Sequence, residues 1–302
     1  MTKRALQSCG IGFGAASIAL FLWLGGALDR FEYTTWAWRV NASAPRRSPS
    51  SCIKIILLDQ PSLDWGSKEM GWSWPWPREV YATILDFCRR GGAKVVAFDI
   101  LFTEPSIYGM ADDEALGHAI CRSTGRFVGA AFYGRDRVTK PISAVATNAT
   151  VVANVSDEPD PDGVFRRATL LRHHNGQKVF SLGYAAWLLG IGCATEPDVR
   201  SLPLDARNRL ILNFAGSNGV HATFSAAAVV QSAMRLQAGD IPPVSPSVFS
   251  NAYVLVGFGA PGLMDLRPTP ISRIAPGVEI HATVLDNLLT SNRLRDTSKP
   301  LC

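Results

Sequence analysis

An uncharged N-terminal stretch constrains this chain more than any other feature. From Ala5 to Leu28, 24 consecutive residues carry no charge. A bilayer core requires about 20 apolar residues at a rise of about 1.5 Å each, so this stretch is long enough to span a membrane. Trp23, near its far end, suits a membrane interface. The sequence therefore predicts a transmembrane anchor over residues 5–28, with the lipid bilayer as its partner.

Two other interpretations of this stretch remain open. A cleaved signal peptide would also begin with basic residues and end with small ones such as Gly25-Gly26-Ala27, although its apolar region is usually only about 7–15 residues long. A buried helix of a soluble protein would normally show a polar stripe, and none is visible here. We favour the uncleaved anchor.

The charges around the anchor do not orient it. Positive residues stand on both sides: Lys3, Arg4, Arg30, Arg39, Arg46 and Arg47. Counting them alone would keep the large domain inside, yet long domains can be exported despite flanking charge.

Composition and cysteine spacing exclude several classes of protein. A 47% hydrophobic and 18% charged content is typical of a folded chain. The net charge of +5 is scattered, without basic runs interleaved with aromatic residues, so we expect no nucleic-acid partner. The six cysteines stand singly without CxxC or a metal-site spacing, so we expect no metal or other cofactor. They are Cys9, Cys52, Cys88, Cys121, Cys193 and Cys302.

The residues after the anchor divide into a short connection and one large domain. Residues 29–51 are predicted as a juxtamembrane helix (Asp29–Val40) and a linker (Asn41–Ser51), because the latter is rich in Ser, Pro and Asn. Residues 52–296 form the domain and 297–302 a tail.

A succession of strands and helices in the first half of the domain predicts a parallel sheet with helices packed on it. Its members are the strand Ile53–Leu58, the helix Arg78–Arg90, the strand Lys94–Phe98, the helix Asp112–Cys121 and the strand Phe127–Phe132. The fold class is therefore mixed α/β with a largely parallel sheet.

The second half of the domain is less regular. It contains an inserted β-hairpin with its tip at His173–Gly176. The other predicted elements are the strand Val151–Val155, a core helix within Val179–Thr195, the strand Leu210–Phe214, a helix capped by Ser225, the strand Tyr253–Val256 and a helix to Leu289. The segment Gly257–Gly262 matches GxGxxG, but the prolines after it oppose the helix that a dinucleotide site needs, so we interpret it as a loop.

The order of several short motifs resembles the CHASE2 family, the predicted extracytoplasmic sensory domain of bacterial receptors. The resemblance covers Phe31 to Leu294. The motifs are Asp59-Gln60-Pro61-Ser62, Trp74-Pro75-Trp76-Pro77-Arg78, Ala97-Phe98-Asp99-Ile100-Leu101-Phe102 with Glu104-Pro105 and Asp112-Asp113, Asp160-x-Asp162-Gly163-x-x-Arg166-Arg167, Val254-Leu255-Val256-Gly257, Ala260-Pro261-Gly262 and Pro276-Gly277-Val278-Glu279-Ile280-His281-Ala282.

The resemblance implies a sensor in the bacterial inner membrane, with one span and a periplasmic domain. Two departures from the family are expected to matter. Phe258-Gly259 stands where small polar residues are usual, and no further apolar run or output domain follows the domain. We therefore expect a non-enzymatic input module that acts through its helix, through a second copy or through a separate signalling partner.

The candidate residues for an unknown small-molecule ligand come from these motifs. Asp59 and Asp99 end predicted parallel strands, where open α/β sheets bind ligands, although they could instead cap the segments that follow. Arg166 and Arg167 could hold an anion or could alternate as exposed charges on a strand. The tryptophans around Pro75 could line a pocket or fill the core. The full set is Asp59, Trp74, Trp76, Arg78, Asp99, Asp112, Asp162, Arg166, Arg167, Glu279 and His281.

Two other functions remain as alternatives. The first is a structural or interaction subunit of an envelope assembly. The second is a hydrolase that uses the carboxylates of Asp59 and Asp99 with a metal. Glu279 and His281 are not expected to share a metal, because residues two apart on a helix project about 200° from each other.

Overall fold

The computed structural model describes residues 3–134, 136–192, 199–216 and 220–295. Cys193, Cys302 and the proposed tail over 297–302 therefore lie outside the described residues.

The succession of elements confirms the predicted α/β class. The helices of the described residues are α1 Lys3–Leu24, α2 Asp29–Ser43, α3 Gln60–Lys68, α4 Arg78–Arg90, α5 Met110–Arg122, α6 Ser143–Ala146, α7 Leu182–Ile191, α8 Ala226–Ala238 and α9 Gly277–Leu289. The strands are β1 Ile53–Leu58, β2 Val95–Phe98, β3 Phe127–Tyr133, β4 Val138–Thr139, β5 Val151–Asn154, β6 Arg167–Thr169, β7 Leu171–His174, β8 Gln177–Phe180, β9 Arg209–Ile211, β10 Ala222–Ser225, β11 Tyr253–Phe258, β12 Leu266–Thr269 and β13 Ser272–Pro276.

The central sheet is largely parallel, as predicted, but its strand order does not follow the chain. The order is β10-β1-β11-β2-β3-β4, and β5 pairs in parallel with β3 outside this path. Only β4 runs antiparallel to its neighbour. Strand β11, which comes late in the chain, lies between β1 and β2 and pairs with both. The carboxyl ends of the parallel strands therefore form one edge at which residues from distant parts of the chain meet.

Both faces of this sheet are covered by helices, which explains the continuous apolar character of β1. Ile56 and Leu58 belong to a core cluster that includes α4 and α8. Ile53 and Ile55 belong to a second cluster, which includes α7 and α9 on the opposite face. Side chains alternate between the two faces of a strand, so both sets must be apolar.

The predicted linker Asn41–Ser51 begins inside helix α2, which runs to Ser43, and its first residues pack on the domain. Helix α2 continues beyond Val40, which belongs to a third core cluster, and Ala44 is buried at 1% exposure. The Asn41 side-chain amide donates to the backbone oxygen of Pro270 at 2.6 Å. The backbone N–H of Gly216 donates to the oxygen of Ala44 at 2.9 Å. Small and amide side chains here form a close contact with the domain, which composition alone does not distinguish from a linker.

The hairpin prediction is confirmed, and one strand prediction needs correction. Strands β7 and β8 pair antiparallel around Asn175 and Gly176, which both have positive φ, as a tight hairpin turn requires. The predicted strand Leu210–Phe214 is shorter and starts earlier, as β9. It pairs with β6 in a separate two-stranded sheet rather than with the central sheet.

The interpretation of Gly257–Gly262 as a loop is confirmed. Strand β11 runs through Phe258, and a 3-10 turn over Pro261–Leu263 follows. The chain then enters the hairpin of β12 and β13, so the glycines do not open an α-helix. A dinucleotide fingerprint requires that helix.

Helix α1 contains the one candidate membrane span within the described ranges, by length and composition. The span is Gln7–Leu24, with a mean hydropathy of 1.5 and no buried residue. The helix ends at Leu24 rather than Leu28, because Gly25 and Gly26 follow and Gly26 takes a φ of 74°. Helix α2 begins at Asp29, after four intervening residues.

Candidate functional site

A cavity of about 390 Å³ lies at the carboxyl edge of the central sheet. Asp99 follows β2 directly, Asp157 follows β5, and His281 lies on the first turns of α9. The exposed Met264 also lines the cavity, which therefore opens to solvent. The polar side chains around it are Asp99, Ser156, Asp157, Asp265, Arg267 and His281.

His281 lies between two carboxylates without a short contact to either. Its Nε2 is 3.7 Å from Asp99 Oδ2, and its Nδ1 is 4.0 Å from Asp157 Oδ2. The side chain is only 4% exposed. Among the residues that the structure describes, Nδ1 has no hydrogen-bond partner. A buried polar atom without a partner is uncommon and marks this ring for attention.

Burial shifts the pKa values of these groups in the directions that favour their neutral forms. It raises the pKa of Asp99 to about 7, against the weaker opposing effect of Arg267. It also raises the pKa of Asp157 and lowers the pKa of His281. Burial, reinforced by the charge of Asp99, raises the pKa of Asp265 to about 6. Near pH 7, Asp99 is therefore only partly ionised, and burial disfavours the imidazolium form of His281.

Two glycines give the backbone room around the cavity. A Cβ atom on Gly183 of α7 would lie 2.5 Å from the backbone oxygen of His281. A Cβ atom on Gly277, at the start of α9, would lie 2.6 Å from the carboxylate of Asp265. A side chain at Gly183 would clash with the backbone of α9, whereas one at Gly277 would require the Asp265 carboxylate to move.

The structure does not bring Asp59 and Asp99 together as the hydrolase hypothesis required. Strand β11 lies between their strands, and two strand spacings amount to about 10 Å. Asp59 instead caps α3, because its carboxylate accepts from the backbone N–H of Ser62 at 2.9 Å. Ser225 was predicted to cap α8, but its hydroxyl donates to Asp59 at 3.1 Å and makes no cap contact.

Arg78 and Asp112 hold two helices together. The Asp112 carboxylate accepts from the backbone N–H groups of Arg78 and Glu79, at 2.7 and 2.9 Å, and so caps α4 from the start of α5. Arg78 is buried, pairs with Asp113 at 3.3 Å and lies over the ring of Phe102. Both residues therefore have a structural role at this position.

The two site tryptophans lie in different environments. Trp76 is 2% exposed, which confirms its interpretation as a core residue. Trp74 is 45% exposed and packs edge-on against Phe258, with the ring centroids 5.6 Å apart. Because Phe258 lines the cavity, Trp74 supports its wall from outside.

Arg166 and Arg167 do not alternate as exposed charges on a strand. Both belong to a buried ion-pair cluster, in which Arg166 makes two contacts to Asp162 at 2.7 and 2.8 Å. The carboxylate of Asp160 contacts Arg166, Arg167 and Arg209. The arginines therefore meet carboxylates of the chain itself, and a role in anion binding stays a prediction.

Glu279 and His281 point to different surroundings, as their spacing on α9 predicted. Glu279 Oε2 lies 3.6 Å from Nδ1 of His221, away from the cavity. Only His281 lines it. Across the described ranges, no group of three or more His, Cys, Asp or Glu is arranged to hold a metal ion.

The sequence predicted two of the five titratable groups of the cavity, Asp99 and His281, and three were missed. Asp157 was not among the predicted site residues, although it follows the predicted strand Val151–Val155 closely, and this signal was available. Asp265 and Arg267 lie at the start of a hairpin that the prolines of this segment concealed. No sequence pattern placed them beside His281.

The structure is therefore an α/β domain with a solvent-accessible cavity at the carboxyl edge of its sheet, a common place for ligand sites in such folds. Residues 14–301 match the CHASE2 domain family, so the chain belongs to that family, as its motif series predicted. CHASE2 domains are extracellular sensory domains of signal transduction. Comparisons with curated proteins and with solved structures gave no match.

Proposed function

We propose that this chain is a single-pass sensory module of the bacterial inner membrane, with its CHASE2 domain on the periplasmic side. The family assignment supports the sensory role. The wholly unburied span in α1 carries the proposal of anchoring, because an apolar helix without protein contacts requires another apolar environment.

The cavity is the proposed site of the stimulus. Its volume falls at the lower end of the range for small-molecule pockets, about 300–1,000 Å³. Asp99, Asp157 and His281 are buried and have shifted pKa values, a combination that clusters at functional sites. Asp99 and His281 are the predicted site residues that this proposal retains.

Helix α2 offers a physical route from the domain to the membrane. The Arg166 guanidinium lies 4.9 Å from the ring centroid of Tyr33, and that of Arg167 lies 5.9 Å from the ring of Trp36. Movement in the domain would therefore displace α2, which follows α1 closely. A second copy of the chain or a separate partner would receive the signal.

The anchor can be tested by adding charge to α1. We expect the natural chain to stay in membranes after an alkaline carbonate wash and to keep its N-terminus by intact mass. Each arginine at the centre of a span costs about 2.5–3.5 kcal/mol. The double variant Ala16→Arg, Leu20→Arg should therefore be largely lost from washed membranes.

The matched control is Ala16→Leu, Leu20→Ile, which should behave as the natural chain does. Recovery of a washed-out chain shortened by about 25 residues would show instead that the first helix is a cleaved signal peptide, and would contradict the anchor.

A further inference from the structure

We propose that the cavity of Asp99, Asp157 and His281 recognises a small protonated amine with an apolar body. This inference rests on the proposed function, since it names the chemical class of the stimulus for the same cavity. Three kinds of observation carry it: the charge balance of the lining, the unpartnered histidine and the aromatic walls.

The lining has more potential negative charge than positive charge. Asp99, Asp157 and Asp265 face the cavity. Arg267 is the permanent cation among the described lining residues, and its guanidinium contacts Asp265 at 3.2 Å. Its side chain is 46% exposed, so solvent screens much of its charge. A cation is therefore the kind of molecule that complements the inner part of the cavity.

The imidazole of His281 lines the cavity, and its buried Nδ1 has no hydrogen-bond partner among the described residues. In the neutral form, which burial favours, one ring nitrogen is a hydrogen-bond acceptor. The gaps of 3.7 and 4.0 Å to the two carboxylates are too long for direct hydrogen bonds. An ammonium has three N–H donors, enough to reach Asp99, Asp157 and the imidazole together.

Aromatic walls suit an organic cation better than a metal ion. Phe132, Phe165 and Phe258 line the cavity, and ring faces attract cations. Arg267 already lies 5.7 Å from the ring centroid of Phe165 in this manner. The arrangement of donors in the described chain is not that of a metal site. The apolar part of the amine would contact the aliphatic and aromatic side chains nearer the mouth.

Binding of an amine should be linked to proton release. A cation favours the carboxylate form of Asp99, whose pKa of about 7 leaves it partly protonated at neutral pH. We therefore expect affinity to rise between pH 6 and pH 8. The charged and titratable groups that act on this site are Asp99, Asp157, Arg172, Asp265, Arg267 and His281.

The test is isothermal titration calorimetry on the full chain in lipid nanodiscs, with n-butylammonium chloride as the probe. n-Butanol is the matched neutral probe, and magnesium chloride tests a bare cation. Of the three probes, we expect only n-butylammonium to give saturable binding heat. The binding enthalpy should change with the ionisation enthalpy of the buffer, because the buffer takes up the released proton. Asp99→Asn should weaken binding about 10-fold or more, because it removes a charge-assisted contact.

Asp157→Asn provides a second variant with the same expectation, and the exposed Asp240→Asn is the control that should bind as the natural chain does. Equal binding of n-butanol, tighter binding of magnesium or unchanged binding in both site variants would overturn the inference. If the chain is anchored with its domain on the periplasmic side but does not bind n-butylammonium, the inference that the ligand is an amine is contradicted. The proposed sensory function is not affected by that result.

Discussion

Replacing Asp99 by asparagine should stabilise the domain at pH 8 and leave its stability almost unchanged at pH 4. In the folded chain burial raises the pKa of Asp99 from 3.8 to about 7, so the folded state holds this proton more tightly than the unfolded state does. Stability therefore falls as pH rises from about 4 to about 7, and the cost is complete above that range. The upper limit of this cost is about 4 kcal/mol.

Asparagine has nearly the shape of the protonated acid and avoids this cost. Urea denaturation of the full chain in detergent at pH 4 and pH 8 measures the effect, with the exposed Asp240→Asn as the control that keeps the natural pH dependence. A variant at Asp99 that is less stable than the natural chain at pH 8 would show that the carboxylate is held charged by its neighbours.

Replacing Asp160 by asparagine should destabilise the domain by about 3–5 kcal/mol, because it leaves buried cations without a partner. The Asp160 side chain is 1% exposed and contacts three guanidinium groups. Removing its charge leaves Arg166, Arg167 and Arg209 with two carboxylates, those of Asp162 and Asp205.

Asp86→Asn is a matched control, because Asp86 also accepts from two arginines but lies at the surface. Its side chain is 26% exposed and contacts Arg89 and Arg122 at 3.1 and 2.7 Å. Surface ion pairs contribute about 0–1 kcal/mol, so this variant should lose little in urea denaturation at pH 7. Equal losses in the two variants would contradict the importance of burial in the Asp160 cluster.

Much of the fold could be predicted because local patterns are strong in the first half of the domain. The run Ile53–Leu58 is apolar on both faces, and Arg78–Arg90 has the spacing of an amphipathic helix. The place of β11 between β1 and β2 could not be predicted, because strand order depends on contacts between distant segments. The same limit concealed the docking of Ala44 on the domain.

Only the part of the candidate site that stands in local sequence motifs could be predicted. Asp99 and His281 stand in recognisable motifs, and position at a strand end marked Asp99 as accessible to a ligand. Arg166 and Arg167 also stand in a motif, but the sequence does not show that Arg209 of β9 and Asp205, just before that strand, complete their cluster. Burial of these charges is a property of the assembled fold.

The most direct test of the account is the side of the membrane on which the domain lies. Cys121 is exposed on α5, so a variant that keeps it as the single cysteine can be treated with a membrane-impermeant maleimide. A second single-cysteine variant with Thr2→Cys reports the N-terminal side. A periplasmic domain predicts that Cys121 reacts fully in intact spheroplasts while the N-terminal cysteine reacts only after lysis. Reaction of Cys121 only after lysis would place the domain in the cytoplasm and contradict the account.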